Sequence, residues 1–467
     1  MRHALSRQLL ALVAGALLAL DCAATDPLPK PVAAALRTAG IASDRVAVVV
    51  QAVDGGRPLL AHNAQTAMHP ASTMKLLTTW AGLELLGPAH TWKTEALVDA
   101  APANGRLAGN LYLRGSGDPK LTVEAFWLLL RQLRARGISD IAGDLVLDRS
   151  AFALPPHDPA AFDGRPLRPY NVGPDALLVN LDSIRLTLVA DGERRAVQVI
   201  PETPDDGIAV ANELKFVDAA CGDWRDQVQA RNRADGIELV GHFPAGCGEK
   251  ALHLSPWPAD LQVERLFRAL WRELGGTLAG QVRAGTTPPA ARLVATQESP
   301  PLADIVRDIN KYSNNVMARQ LLLGLAAGRP ATPEAARRRV EDWLAAKGLQ
   351  LPGLVIDNGS GLSRGERISA EGLARLLLAA WASPVMPEFA SSLPVAGVDG
   401  TLRQRSSAVS GRAHLKTGSL DGVRALAGYV LDRNGRRWVT VFLINDPRAS
   451  HGRAAMDALL AWIGDGM

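Results

Sequence analysis

The sequence predicts an α/β fold of the α+β kind: an antiparallel sheet flanked by helices, built from both ends of the chain and interrupted by a long insertion. Strand-like apolar runs lie near the N-terminus, Val46 to Val53 and Pro58 to Ala61, and again near the C-terminus, His414 to Thr417, Arg424 to Leu431 and Arg437 to Ile444. Helical periodicity fills the segments beside them. From about 93 to 300 the texture changes to short strands with frequent Pro and Gly, an inserted region of about 200 residues that reads as two small domains.

Taken in order, Ala33 to Gly40 suits a short helix, and Asp54-Gly55-Gly56 turns the first strand into the second. An apolar helix follows through Met74, Leu76, Leu77, Trp80, Leu83, Leu85 and Leu86, stopped by Gly87-Pro88. In the insertion, strands are expected at Leu107 to Arg114, Asp144 to Asp148, Ile184 to Val189 and Ile208 to Asn212, with helices at Thr122 to Arg136 and Leu261 to Leu274. Gly115-Ser116-Gly117-Asp118-Pro119 lacks the Lys-Ser/Thr of a phosphate-binding loop.

Beyond 300, Leu302, Ile305, Val306 and Ile309 mark one helix face, and Val316 to Leu325 resumes after a polar break at 310–315. Further helices are expected at Thr332 to Lys347, Ser369 to Trp381 and Gly452 to Ile463, and Asn434-Gly435 signals a hairpin between the last two strands. The boundaries follow: a leader at 1–24, a main domain from 27–92 and 301–467, one inserted domain from 93–168 and 275–300, and a second from 169–274.

At 467 residues the chain exceeds one ordinary domain, and 47% hydrophobic content gives it ample core. The formal charge of +4 is spread without a Lys/Arg block, which argues against a nucleic-acid groove. Arg2, His3 and Arg7, then Leu9 to Leu20, then Cys22-Ala23-Ala24 have the layout of a secretory signal peptide with cleavage after Ala24, implying export to the periplasm. The apolar core is short for a membrane span. Acylation of Cys22 fits poorly with Asp21 before it, and peripheral membrane association stays open. In an oxidising compartment Cys221 and Cys247 suggest one disulfide, the alternative being two buried thiols. The nine histidines are scattered and no Cys/His spacing suits a metal, so neither metal nor cofactor is expected.

Ser72 and Lys75 share a helix face, which brings hydroxyl and amine into hydrogen-bond range. Burial lowers a lysine pKa toward neutrality and makes it a candidate general base, whereas a surface lysine beside a capping serine would do nothing. Two further motifs follow in order, Ser313-Asn314-Asn315 in an inter-helix loop and Lys416-Thr417-Gly418 on a strand. That ordered triple marks penicillin-binding proteins and class A β-lactamases.

The chain resembles the low-molecular-mass class C penicillin-binding proteins, the D-alanyl-D-alanine carboxypeptidase/endopeptidases of peptidase family S13. The resemblance rests on the three motifs, the long insertion between the first two, and stretches at 113–119, 310–315, 357–364, 398–402 and 414–419. It implies a penicillin-binding domain carrying two inserted domains, with peptidoglycan stem peptides as substrate and β-lactams as covalent inhibitors. It also implies roles. Ser72 attacks the D-Ala-D-Ala carbonyl and Lys75 takes its proton. Ser313 passes a proton to the leaving amine, and Asn315 bonds the substrate amide and Lys75. Lys416 keeps Lys75 neutral and, with Thr417, binds the terminal carboxylate. Gly418 allows close approach of substrate, and the N–H groups of Ser72 and Ser419 form an oxyanion hole. Candidates for the side-chain pocket are Leu420, Asp421, Arg364, and Asp148 with Phe152, Asp421 being suited to the ammonium of a diamino acid. The competing readings are a β-lactamase-like hydrolase and a non-catalytic peptidoglycan-binding protein.

Overall fold

In a computed structural model of the chain, the residues described are 25–233, 236–351, 353–405 and 408–467. The leader and Cys22 lie outside them. Five antiparallel strands from both ends of the chain form the main sheet, in the order Ala413–Leu420, Val423–Leu431, Arg437–Asn445, Val46–Ala52, Leu60–His62.

The strand Val46–Ala52 is apolar almost throughout because both faces of the sheet are covered. Successive side chains point to opposite faces. Val46, Val48 and Val50 join Leu36, Phe442, Leu459 and Leu460, beneath the helices Lys30–Ala39 and Arg453–Gly464. Ala47 and Val49 face Met74, Leu77 and Trp80, in a core shared with the helices Lys75–Leu86, Leu302–Lys311, Asn315–Gly324 and Ala370–Trp381. Each large apolar side chain buried there stabilises the fold by about 1.5–3 kcal/mol. The helix Lys75–Leu86 thus lies packed between sheet and helices.

The insertion begins with a second five-stranded sheet, in the order Val282–Ala284, Leu145–Asp148, Leu111–Gly115, Lys93–Val98, Arg292–Glu298. Its apolar face packs on the helices Val123–Ala135 and Ala259–Glu273. The second of these helices was expected in the 169–274 unit. Instead Val263, Leu266, Phe267, Leu270 and Trp271 are buried with Phe126 and Leu130, because that face matches the one left open by Val123–Ala135.

A short three-stranded sheet, Thr277–Leu278/Asp140–Ile141/Arg106–Leu107, lies beside that five-stranded sheet, and two longer three-stranded sheets follow, Ala196–Pro201/Ile184–Asp191/Glu249–Leu254 and Ala209–Val217/Gly236–Pro244/Val228–Asn232. The Cys221 and Cys247 sulfurs lie 2.10 Å apart beside their common core. Several of these strands carry charged residues on exposed faces, which hides their alternation in the sequence. Among the described residues no helix is long and apolar enough to cross a membrane.

Candidate active site

Ala71–Met74 form a 3₁₀ turn that continues into the α-helix Lys75–Leu86. In a 3₁₀ turn residues i and i+3 eclipse, which sets the fourth side chain beside the first. Lys75 Nζ lies 2.9 Å from Ser72 Oγ and 2.6 Å from Asn315 Oδ1, and it also donates to the Ser360 carbonyl. Asn315 Oδ1 and the Ser360 carbonyl are both acceptors, so a neutral amine spends its two N–H bonds on them. Its lone pair is left for the Ser72 hydroxyl proton.

Lys75 is fully buried. That burial is the main reason its pKa falls well below the ordinary lysine range; the Lys416 charge adds to it, the Glu366 carboxylate opposes it, and Arg319 contributes least. Lys416 therefore assists desolvation instead of replacing it. The Lys416 ammonium is buried too, and desolvation brings it down to about 7.

Ser313 is held at a backbone φ of 57° between two helices, where Asn314 caps the second by accepting from the Met317 N–H at 3.0 Å. Lys416 Nζ donates to Ser313 Oγ and to the Thr417 carbonyl, each at 2.8 Å. The Thr417 hydroxyl meets that of Thr401 at 2.9 Å. The loop bearing Thr401 is fixed by Lys311, which bonds Asp399 at 2.7 Å and the Leu393 carbonyl at 2.6 Å.

Two residues that the motifs do not contain complete the frame. The Glu366 carboxylate accepts the N–H groups of Gly359 at 2.7 Å and Asn358 at 3.1 Å, and so shapes the loop whose Ser360 carbonyl meets Lys75. His69 Nδ1 accepts the Ala71 N–H at 3.0 Å, while its Nε2 bonds the Ser363 carbonyl. Asn445 grips the His69 backbone from the other side, Oδ1 accepting its N–H at 2.8 Å and Nδ2 donating to its carbonyl at 3.1 Å. These contacts hold Ala71 at φ 46°, a left-handed conformation costly for a non-glycine residue. Gly361 presses on the same residue: a Cβ there would lie 1.9 Å from the Ala71 carbonyl oxygen.

Ser72, Ser313, Asn315, Arg364, Ser419, Leu420 and Asp421 line one cleft of about 540 Å³. Thr417 and Gly418 line its neighbour, which shares Ser72 and Ser313. Gly418 is required by space, since a Cβ would approach the Pro70 carbonyl to 2.8 Å.

Asp148 and Phe152 do not belong to this cleft, and their expected role is corrected. Asp148 is buried at a strand end, accepting from the Ser150 N–H at 3.0 Å and the Thr287 N–H at 2.8 Å. Phe152 is buried against Gly117, in the core of the main domain.

The insertion reaches the cleft through Phe162, Asp163, Arg165 and Tyr170, beside Tyr312. Arg364 docks this loop, donating to the Phe162 carbonyl at 3.2 Å with its guanidinium 4.4 Å above the ring. Burial works against the Asp163 carboxylate, but hydrogen bonds from Tyr170 and Asn171, each 2.8 Å, and from the Arg165 N–H keep it below its usual range and ionised. The loop has no periodicity, and the single sequence signal for it is aromatic and charged residues gathered in a Pro/Gly-rich stretch.

Residues 28–463 match the family described as D-Ala-D-Ala carboxypeptidase 3 (S13). A D-alanyl-D-alanine carboxypeptidase of Actinomadura sp. (strain R39) is 31% identical over 82% of this chain and 74% of its own length. The D-alanyl-D-alanine carboxypeptidase DacB of Haemophilus influenzae is 27% identical, covering 86% and 85%. The crystal structure of penicillin binding protein 4 (dacB) from H. influenzae superposes with a TM-score of 0.76 at 24% identity, covering 92% of this chain and 99% of the other.

Proposed function

The chain belongs to the D-Ala-D-Ala carboxypeptidase 3 (S13) family, a serine DD-peptidase of peptidoglycan, and from that premise we propose how its residues divide the reaction. Ser72 Oγ loses its proton to the neutral Lys75 amine and attacks the carbonyl carbon of the penultimate D-Ala. The N–H groups of Ser72 and Ser419 receive the developing oxyanion, each worth about 3–4 kcal/mol in such a site. The leaving amine takes a proton relayed from Lys75 through Ser313, and the tetrahedral adduct collapses to an acyl-enzyme. Water, deprotonated by the same lysine, then hydrolyses the ester and restores Ser72. Lys416 and Thr417 hold the substrate's terminal carboxylate, and Asn315 its amide.

One observation carries this reading: a fully buried Lys75 amine 2.9 Å from Ser72 Oγ, its other contacts being acceptors. A β-lactamase-like outcome needs a further carboxylate base for deacylation. Glu366, the buried carboxyl group nearest in role, holds the backbone of its own loop through Oε1 and does not line the cleft containing Ser72. Penicillin is accordingly expected to remain attached.

For the side-chain pocket, the neighbouring charges Asp163, Asp421, Arg364 and Arg165 support a substrate residue bearing both an ammonium and a carboxylate. The H. influenzae protein has also been solved complexed with a β-lactam, which supports β-lactam acylation here. Cleavage of cross-links, export to the periplasm and a Cys221–Cys247 bridge belong to the same reading, as does a main domain from 27–92 and 301–467. The test is release of D-Ala from a peptide ending in D-Ala-D-Ala: Lys75→Ala and Ser72→Ala should each abolish it, and retention of turnover by either would overturn the assignment.

A further inference from the structure

A groove of about 620 Å³ lies in the insertion, walled by Arg165, Leu167 and Arg168 on one side and the strand Val228–Asn232 on the other. That strand is the end of its sheet, pairing with Gly236–Pro244 along one edge. All five of its residues line the groove. A strand presenting a face would contribute every second residue, so what the groove meets is the outer edge, with its backbone N–H and C=O groups.

The groove is also basic. Arg165, Arg168, Arg225 and Arg231 face a single lining carboxylate, Asp226. Among the described residues, the one ion pair made by these four is Arg231 with Glu238, at 3.8 Å, and Glu238 lies closer to Arg233, at 3.2 Å. Arg225 lies 4.6 Å above the Trp224 ring, and Arg168 donates to the Arg225 carbonyl at 3.2 Å. Leu252 and Leu254, largely buried in the core beneath, form its floor. Arg165 lines both this groove and the cleft containing Ser72, so the two adjoin at this residue.

A free strand edge, arginines above it and an apolar lining together select an extended peptide that carries carboxylates. We propose that this groove binds the second peptide of a cross-linked substrate, holding that acidic strand by its backbone while Ser72 cuts the cross-link. The proposal rests on the assignment of Ser72 as nucleophile.

The test compares a synthetic cross-linked peptide dimer with a monomeric peptide ending in D-Ala-D-Ala, using the full chain. Arg225→Glu with Arg231→Glu should raise KM for the dimer about tenfold or more. Monomer turnover and penicillin acylation should stay within twofold, which also reports a folded protein. The corresponding lysine pair should keep dimer affinity near wild type, and Arg168→Glu should act like the glutamate pair. Equal losses on dimer and monomer, or no loss on either, would overturn the groove. So would unchanged dimer cleavage accompanied by lost binding to anionic phospholipid vesicles, which would assign the arginines to a membrane surface. Failure of wild type to react with penicillin is a separate result and would remove the Ser72 assignment itself.

Discussion

Lys416 Nζ donates a hydrogen bond to Ser313 Oγ across 2.8 Å, which wires the third motif to the second. Lys416 therefore meets the Ser72–Lys75 pair in two ways, through its charge on Lys75 and through its bond to Ser313. Lys416→Ala is expected to slow penicillin acylation on the order of 10- to 100-fold, within the span of positioned acid–base groups. Undiminished acylation, measured by stopped-flow, would contradict this coupling.

On the proposed division of roles, the two lysines should set the pH profile of kcat/KM for peptides ending in a carboxylate. As pH falls through the depressed pKa of Lys75, the amine takes up a proton and the base is lost, giving the acid limb. As pH rises through about 7, Lys416 loses its proton and its attraction for the carboxylate, giving the alkaline limb. Lys416→Arg keeps the charge, so it should move the alkaline limb to higher pH. An alkaline limb unmoved by this change would dissociate it from Lys416.

His69 should matter although no motif contains it. Burial, with the Arg367 and Arg364 charges, lowers its pKa against the raising effect of the Ser363 carbonyl, so the ring is neutral at neutral pH. Protonation would place a hydrogen on Nδ1 and remove the acceptor for the Ala71 N–H. His69→Ala should cut the acylation rate about tenfold with little change in KM, as expected when only transition-state geometry suffers. A loss confined to KM would speak against a positioning role.

Gly361→Ala is expected to be far more damaging than its size suggests. The position has φ 81°, and the added Cβ would collide with the Ala71 carbonyl. Acylation should fall by about 100-fold or more, since displacement of a reacting group by about 1 Å costs that much. Near-normal acylation would show that the Ala71–Ser72 segment can shift freely.

The meeting of the three motifs was easier to read from the sequence than their surroundings. Ser72, Lys75, Ser313, Asn315 and Lys416 are legible because short spacings on a helix start, an inter-helix loop and a strand each dictate geometry. The main sheet is legible because apolar runs at both chain ends need partners. What escaped depends on contacts between distant segments. Asp148 and Phe152 sit near the right stretch of sequence, yet the strand end delivers one to a backbone cap and the other to the core. Phe162, Asp163 and Tyr170 reach the cleft on an irregular loop, and Ser363 and Asn445, which fix His69, lie about 300 residues or more along the chain. The helix Ala259–Glu273 shows its amphipathic face plainly, but nothing local says which sheet it covers.

The most direct measurement is covalent labelling by a fluorescent penicillin, read on a denaturing gel and located by peptide mass. The wild-type chain should carry a lasting label on the peptide containing Ser72, and Ser72→Ala should carry none. An unlabelled wild type, or a label that persists in Ser72→Ala, would contradict the assignment of Ser72 as the nucleophile.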